Sequence, residues 1–230
     1  MSVDEKNKQA VFRVRNKTHI FKHIISIFDA SPLLTSKHFK YTIFKEALLI
    51  SMNNKQSLEE KNIAILKLKK SQCTIPANFK SPVWGSLTDS IGSKKVAQKV
   101  MTKSWLVGFT EAEGSFYIVQ KETTRLVHAF EITQKLDKIV LQAIALILEI
   151  STVYKKKTHF TVVTTNSKTV QFISTYYFKT MKGMKSLEYR LWSRSFNKRK
   201  RGFDYLLKIR KKMRNVRSIR FDKNCQKVAK

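Results

Sequence analysis

The chain has 230 residues, with 46 Lys and Arg against 16 Asp and Glu, and a formal net charge of +30 at pH 7. This excess indicates a polyanionic partner, because cations that neutralise phosphates release condensed counterions. Nucleic acid is favoured over a membrane surface, since no segment reaches the roughly 18 apolar residues of a spanning helix. Cys73 and Cys225 stand apart from any Cys or His cluster, which indicates neither a zinc site nor a disulfide framework.

A segment near the N-terminus returns later in the chain. Residues 16–28 resemble residues 166–178, because each begins with Asn and continues with apolar residues at helical spacing. The similarity continues from residues 37–44 to 185–192 and from residues 65–69 to 206–210. The sequence therefore predicts a duplicated unit.

The duplication divides the chain into four segments. The first copy starts where the last strand of the second copy lies, so residues 1–70 are expected to form the C-terminal part of a first repeat. Residues 71–103 contain Pro, Ser, Gly and Lys, which is typical of a linker. Residues 104–215 are expected to form a complete repeat, followed by a basic flexible tail at 216–230.

The complete repeat begins with a short apolar helix. Ser104 is the expected N-cap, and the small residues Gly108 and Ala112 would let another helix approach closely. Gly114 is expected to end the helix in the left-handed conformation. Glu113 lies in the last turn, at the unfavourable end of the helix dipole, and therefore needs a compensating partner such as a divalent cation.

The rest of the repeat alternates strands and helices. Period-two patterns predict two strands, a strongly apolar run predicts a buried helix, and a hairpin follows around Lys157 and Thr158. The element order is αββαββα, which indicates an α+β fold. The expected strands are residues 115–121, 125–135, 152–157 and 159–165, and the buried helix is 137–150.

The helix end resembles the signature of the LAGLIDADG homing endonucleases. The matching block is Leu106-Val107-Gly108-Phe109-Thr110-Glu111-Ala112-Glu113-Gly114, with Trp105 and Ser115-Phe116 beside it. Residues 130–135 are also similar to the family. The resemblance implies a saddle-shaped sheet that lies on the major groove of DNA, with an active centre where two motif helices cross.

The resemblance also implies the roles of the site residues. Glu113 would bind Mg²⁺ or another divalent cation, and Glu111 would be a capping or structural residue. Gln134 would help organise water near the scissile phosphate. Arg13 stands where the family places a lysine in the first copy; it would stabilise charge but not act as a base, because arginine keeps its proton at neutral pH. In the second copy the corresponding positions are about 163–165.

The DNA-contacting residues implied by the resemblance lie on the two long strands. An ordinary solvated strand face is the alternative interpretation of the same pattern. Three lysines of the hairpin are expected to meet phosphates rather than bases. The strand candidates are Tyr117, Val119, Lys121, Arg125, Val127, Ala129, Glu131 and Thr133, and the hairpin lysines are Lys155, Lys156 and Lys157.

The favoured function is an intron-encoded, site-specific DNA endonuclease that makes a staggered cut in an intronless allele. The alternatives are a maturase that binds its own intron RNA and assists splicing, and an inactive remnant. The sequence supplies one motif acid. An upstream extension or exon fusion is favoured as the source of the second, with a motif-paired dimer as the alternative, so the chain is expected to be a monomer or such a dimer. No membrane partner is expected, and the resemblance favours the mitochondrion, with the plastid as the alternative.

Overall fold

The computed structural model describes residues 2–4, 9–71, 74–76, 78–85, 91–198 and 202–219, so Cys73 and Cys225 lie outside the described residues. The chain divides into two compact units, residues 1–86 and 87–230. Within the described ranges, no helix has both the length and the apolar character needed to cross a membrane.

The first unit consists mainly of helices. A short antiparallel strand pair precedes a continuous helical segment, which includes one π-helical stretch at Ile20–Ile25. Two longer helices then pack against each other. The bounds are β1 (Ser2–Asp4), β2 (Gln9–Val11), α1 (Lys17–His19), α2 (Ser26–Ala30), α3 (Lys37–Met52) and α4 (Leu58–Ser71), followed by a 3-10 turn at Pro82–Trp84.

Hydrogen bonds from the 3-10 turn tie it to the loop before α3. The Trp84 side chain is buried, and its Nε1 donates to the Leu34 carbonyl at 2.8 Å. The Ser81 hydroxyl donates to the Leu33 carbonyl at 2.6 Å. Part of the segment predicted as a linker is therefore packed into the first unit.

The second unit is a four-stranded antiparallel sheet with helices. Its strand order is β3-β4-β6-β5, so β3 and β5 are the edges. This arrangement confirms the expected α+β class and the αββαββα order. The bounds are α5 (Lys94–Val100), α6 (Lys103–Glu113), β3 (Gly114–Glu122), β4 (Arg125–Gln134), α7 (Lys138–Leu148), β5 (Val153–Lys155), β6 (Phe160–Thr164), α8 (Ser167–Tyr176), α9 (Lys185–Asn197) and α10 (Phe203–Ile219).

An aromatic cluster forms the core on one side of this sheet, which we call the helical side. Phe116 of β3 is fully buried, with its ring centroid 5.1 Å from those of Phe130 on β4 and Trp192 on α9. Tyr177, at the end of α8, meets Phe116 edge-on. Burial of rings this large is a dominant stabilising contribution, so the cluster fixes α8 and α9 on the sheet.

One arginine links the last helix to the sheet and to α9. Arg217 of α10 donates from Nε to the Glu188 carboxylate at 2.9 Å and from a terminal nitrogen to the Phe116 carbonyl at 2.6 Å. Glu188 is only 1% exposed, so its charge requires such partners. Helix α10 continues to Ile219, four residues into the segment predicted as a flexible tail; the rest of that tail lies outside the described residues.

Two expectations about the motif helix are wrong. The N-cap is Thr102 rather than Ser104, because the Thr102 hydroxyl accepts the Trp105 N–H at 3.2 Å and the helix begins at Lys103. Gly114 is extended, with φ −74° and ψ 154°, because the helix runs directly into β3 without a turn. Glycine is required there for space, since an added Cβ would lie 2.6 Å from Cγ2 and 2.7 Å from the carbonyl oxygen of Thr110.

The helices of the two units follow the predicted duplication. Asn16 caps α1 by accepting the His19 N–H, and Asn166 caps α8 by accepting the N–H groups of Lys168 and Thr169. The next long helices start at Lys37 and Lys185, which the sequence comparison aligned. A further long helix follows in each unit, α4 in the first and α10 in the second.

Candidate nucleic-acid interface and its carboxylate

Two glutamates at the end of α6 have different surroundings. The Glu111 carboxylate accepts the backbone N–H groups of Lys182 and Gly183, the latter at 2.8 Å. These groups precede α9, so Glu111 joins the motif helix to the start of that helix. This contact agrees with the structural role expected for Glu111.

Glu113 follows two residues later and is exposed. Within the part of the chain that the structure describes, no side chain or backbone group makes a hydrogen bond or ion pair with its carboxylate. The same residues contain no cluster of three His, Cys, Asp or Glu side chains. A magnesium ion bound through substrate oxygens needs one or two protein carboxylates, so Glu113 fits as one ligand of such an ion.

Gln134 lies at the same end of the sheet as Glu113. Strand β3 begins at Gly114 opposite Ile132, and β4 continues two residues further to Gln134. The strand register therefore brings these two predicted site residues to one place in the fold. Their catalytic roles remain predictions.

The motif helix also presents the small residues noted in the sequence. Gly108 and Ala112 are both exposed. An added Cβ at Gly108 would meet no atom within 4 Å. The helix surface therefore leaves space for the close approach of another helix at these positions.

One face of the sheet carries most of the predicted DNA-contacting residues, and we call it the groove face. Tyr117 is opposite Ala129, Val119 is opposite Val127, and Glu131 is opposite Ser115. These residues alternate with the buried ones of the aromatic cluster, so they point away from the helical side. The strand register places Tyr117, Val119 and Glu131 on this face, and their contact with DNA stays a prediction.

A hydrogen-bonded network occupies the centre of the groove face. The Tyr117 hydroxyl donates to the Glu131 carboxylate at 3.0 Å, and the Thr161 hydroxyl donates to the other Glu131 oxygen at 3.1 Å. The Thr133 hydroxyl lies 3.1 Å from that of Thr161. Burial raises the pKa of Tyr117, and the neighbouring Glu131 carboxylate raises it further. Glu131 is therefore held in place by its neighbours.

Three candidate residues differ from a simple alternating face. Ala129 is fully buried, so its methyl group does not reach a ligand on the face. Lys121 lies in a register irregularity between Gln120 and Glu122, which breaks the alternation there. Arg125 forms an exposed ion pair with Glu122 at 3.1 Å, a type of contact that contributes little to stability.

The remaining candidates lie elsewhere. Lys155, Lys156 and Lys157 are exposed around the β5–β6 turn, and β5 is the sheet edge opposite β3. Arg13 is exposed and follows β2 in the first unit. A role for Arg13 beside Glu113 therefore stays a prediction.

Several residues of the groove face were not predicted from the sequence. Tyr154 of β5 is opposite Thr161, and Val163 of β6 is opposite Glu131, so both extend the face across the sheet. The period-two alternation of residues 160–164 was the sequence signal that could have identified the face of β6. Basic residues of α10 also border the face, around a cavity of about 180 Å³ lined by Tyr117, Val119, Arg210, Arg214 and Arg217 among others.

A profile of the LAGLIDADG endonucleases matches residues 1–48 and 106–196. The chain belongs to the LAGLIDADG endonuclease family. The matched stretches include the motif helix from Leu106 onward, with both glutamates, and all four strands of the sheet. They also include β2 and the first helices of the first unit.

Two fungal proteins are similar in sequence. A Schizosaccharomyces pombe protein, described as a probable intron-encoded endonuclease, Cox1-I1b, is 36% identical over 216 residues, which are 90% of this chain and 52% of that protein. The uncharacterised mitochondrial protein RF1 of Saccharomyces cerevisiae is 27% identical over 113 residues, or 49% of this chain and 21% of that protein. The LAGLIDADG chain thus spans about half the length of Cox1-I1b.

Solved structures of the family share the fold. The homing endonuclease I-SmaMI bound to cleaved DNA superposes with a TM-score of 0.68 at 18% identity, covering 88% of this chain and 73% of that one. I-LtrWI bound to target DNA gives a TM-score of 0.65 at 19% identity, covering 87% and 73%. At these identities the similarity establishes the fold.

Proposed function

We propose that this LAGLIDADG chain takes part in site-specific cleavage of double-stranded DNA, as an intron-encoded endonuclease acting on an allele that lacks the intron. The observation that carries this proposal is the position of Glu113. Its carboxylate is exposed and free of protein partners among the described residues, whereas Glu111 on the same helix is fixed by two backbone donors.

The groove face would hold the duplex. Major-groove recognition needs side chains that reach base edges, and strands of this kind supply them at every second residue. Tyr117 and Thr133 are held by the network around Glu131, so their positions are fixed before DNA binds. The hairpin lysines would contact phosphates, which gives affinity without sequence preference.

Glu113 would hold a divalent metal ion against the scissile phosphate. LAGLIDADG endonucleases generally use such ions. The ion would neutralise phosphate charge and make a bound water more acidic. The Gln134 amide would orient water at the same end of the sheet, and Arg13 would stabilise negative charge. A second carboxylate would come from a motif helix paired with Gly108 and Ala112, in a second copy or in a longer protein.

The proposed location is the mitochondrion. It is supported by the mitochondrial relative RF1. Purified protein incubated with Mg²⁺ and a library of candidate intron-insertion duplexes tests the activity. We expect discrete double-strand breaks that EDTA abolishes. Specific duplex binding without cleavage under any divalent metal would contradict nuclease activity of this chain alone, and would favour either a longer protein that supplies the second carboxylate or the RNA-splicing alternative.

A further inference from the structure

Two adjoining cavities open between α8 and α9. Their volumes are about 510 and 400 Å³, and both are lined by Phe178, Ser193 and Arg194. Together they form what we call the α8–α9 groove. Both helices pack on the helical side of the sheet through Tyr177 and Trp192, so this groove lies on the other side of the sheet from the groove face.

The lining of the α8–α9 groove is strongly basic. It contains five Lys or Arg residues and no Asp or Glu. Within the described ranges, none of the five forms an ion pair with a carboxylate. A groove of this charge attracts a polyanion. The five residues are Lys179, Lys182, Arg190, Arg194 and Lys198.

An exposed aromatic ring stands between the two cavities. Phe178 is 63% exposed, although it directly follows the fully buried Tyr177. Lys179 has a positive φ of 56°, and its Nζ lies 5.4 Å from the centroid of the Phe178 ring. A flat ring with cations around it can stack on a nucleic-acid base while the cations meet the flanking phosphates.

Polar groups form the floor of the groove. The hydroxyls of Ser174 and Ser193 lie 2.6 Å apart, and the Asn197 amide donates to Ser174 at 3.4 Å. The Tyr189 hydroxyl donates to the Ser174 carbonyl at 2.5 Å. This floor is fixed by its own hydrogen bonds. It offers hydroxyl and amide groups to a sugar or a base edge.

One wall of the groove is joined to the motif helix. Lys182 is a lining residue, and its backbone N–H, with that of Gly183, donates to Glu111. An added Cβ at Gly183 would lie 2.3 Å from the Glu111 carboxylate, so this carboxylate would have to shift to accommodate a side chain there. The groove is therefore a built feature of the fold rather than a gap between side chains that move freely.

We propose that the α8–α9 groove binds a single-stranded nucleic-acid segment, separately from any duplex on the groove face. A duplex keeps its bases stacked inside and would leave Phe178 and the two cavities unfilled. An unpaired strand exposes both its bases and its phosphates, which match the ring and the five cations. This inference goes beyond the nuclease proposal because it concerns a different surface.

Fluorescence anisotropy with labelled oligonucleotides of about 12 nucleotides tests the inference. The probes are a ribonucleotide strand, the deoxyribonucleotide strand of the same sequence, and the corresponding duplex, each titrated at several salt concentrations. The variants are Arg190→Gln/Arg194→Gln and Phe178→Ala. Lys208→Gln/Lys211→Gln is the matched control, since it removes the same charge from exposed positions of α10.

We expect Arg190→Gln/Arg194→Gln to weaken single-strand binding at least tenfold. It should lower the slope of log affinity against log salt by about 1.4, or about 0.7 for each lost phosphate contact. Phe178→Ala should weaken single-strand binding about 5- to 100-fold with little change in slope, because stacking carries no charge. Neither variant should change duplex binding more than the control does.

A tighter ribonucleotide complex would support the groove and add contacts to the 2′-hydroxyl, whereas equal affinities would support recognition of any single strand. The inference is overturned if the arginine variant loses no more single-strand affinity than the control, or if polyglutamate displaces the strand as well as an unlabelled strand does. Circular dichroism checks that Phe178→Ala folds. If it does not fold, Phe178→Leu repeats the test. Duplex binding, measured in parallel, reports on the nuclease proposal separately.

Discussion

The two sides of the sheet in the second unit differ in how their side chains are held. On the helical side, Phe116, Phe130 and Trp192 are buried in ring contacts that depend on volume and shape. On the groove face, Tyr117, Glu131 and Thr161 are held by directed hydrogen bonds. If the groove face holds DNA as proposed, stability and recognition depend on different residues of the same strands, and substitutions should separate them.

The largest expected effect on stability is on the helical side. Trp192→Ala removes a fully buried indole and its Nε1 hydrogen bond to the Tyr117 carbonyl. Deleting a buried aromatic side chain costs about 3–5 kcal/mol of unfolding free energy. Val119→Ala on the groove face, where the side chain is only partly buried, should cost less than about 1 kcal/mol. Urea denaturation measures both, and similar losses would contradict the comparison.

A glycine pair tests the junction between the motif helix and the sheet. Gly114→Ala should destabilise by about 1–3 kcal/mol, because the added Cβ meets the Thr110 side chain and carbonyl. Gly108→Ala should instead stabilise by up to about 1 kcal/mol, because it lies in the helix with open space around it. Thermal or urea unfolding of the two variants shows whether each substitution stabilises or destabilises the protein. A neutral Gly114→Ala would contradict the steric account.

Glu131→Gln tests the network on the groove face. One amide oxygen replaces two carboxylate oxygens, so the hydroxyls of Tyr117 and Thr161 no longer both have their acceptor. The expected loss is about 1 kcal/mol of stability, with a weaker preference for the target duplex. Glu122→Gln, in an exposed ion pair, is the control and should change neither quantity measurably. If the two variants change stability and duplex preference equally, the network around Glu131 contributes to neither.

The smallest expected effect is an alkaline loss of stability. Burial raises the pKa of Tyr177, so the folded state favours the neutral phenol. This stability is complete below the ordinary tyrosine pKa of about 10 and is lost as the pH rises towards the folded pKa. Between pH 10 and 11 the wild type should lose about 1 kcal/mol more than Tyr177→Phe does. If the unfolding free energies of the two proteins fall in parallel with pH, Tyr177 does not contribute to the alkaline loss of stability.

The element order and the two faces were predictable because they follow from local patterns. Alternation in residues 115–121 and 125–135 separates Phe116 from Tyr117, and the structure keeps that separation. The sequence also distinguished Glu111 from Glu113. The family resemblance supplied this distinction, since residue type alone does not separate two glutamates of the same helix.

The two errors about the motif helix concern its two ends. Thr102 and Ser104 are both acceptable N-caps by type, and the start of the helix at Lys103 selects Thr102. Gly114 resembles a helix stop, but the strand that follows immediately requires an extended residue. The α8–α9 groove has no local signature, because its cations come from the loop after α8, from α9 and from Lys198 just beyond α9.

The most direct test of the proposed activity compares Glu113→Gln with Glu111→Gln on a target duplex in Mg²⁺. Glu113→Gln should fold and bind the duplex like the wild type while cleavage falls by at least about three orders of magnitude, because only the metal-binding charge is removed. Glu111→Gln should be less stable than the wild type, and its folded fraction should retain cleavage. Cleavage by Glu113→Gln at the wild-type rate would contradict the assignment of this carboxylate as the metal ligand.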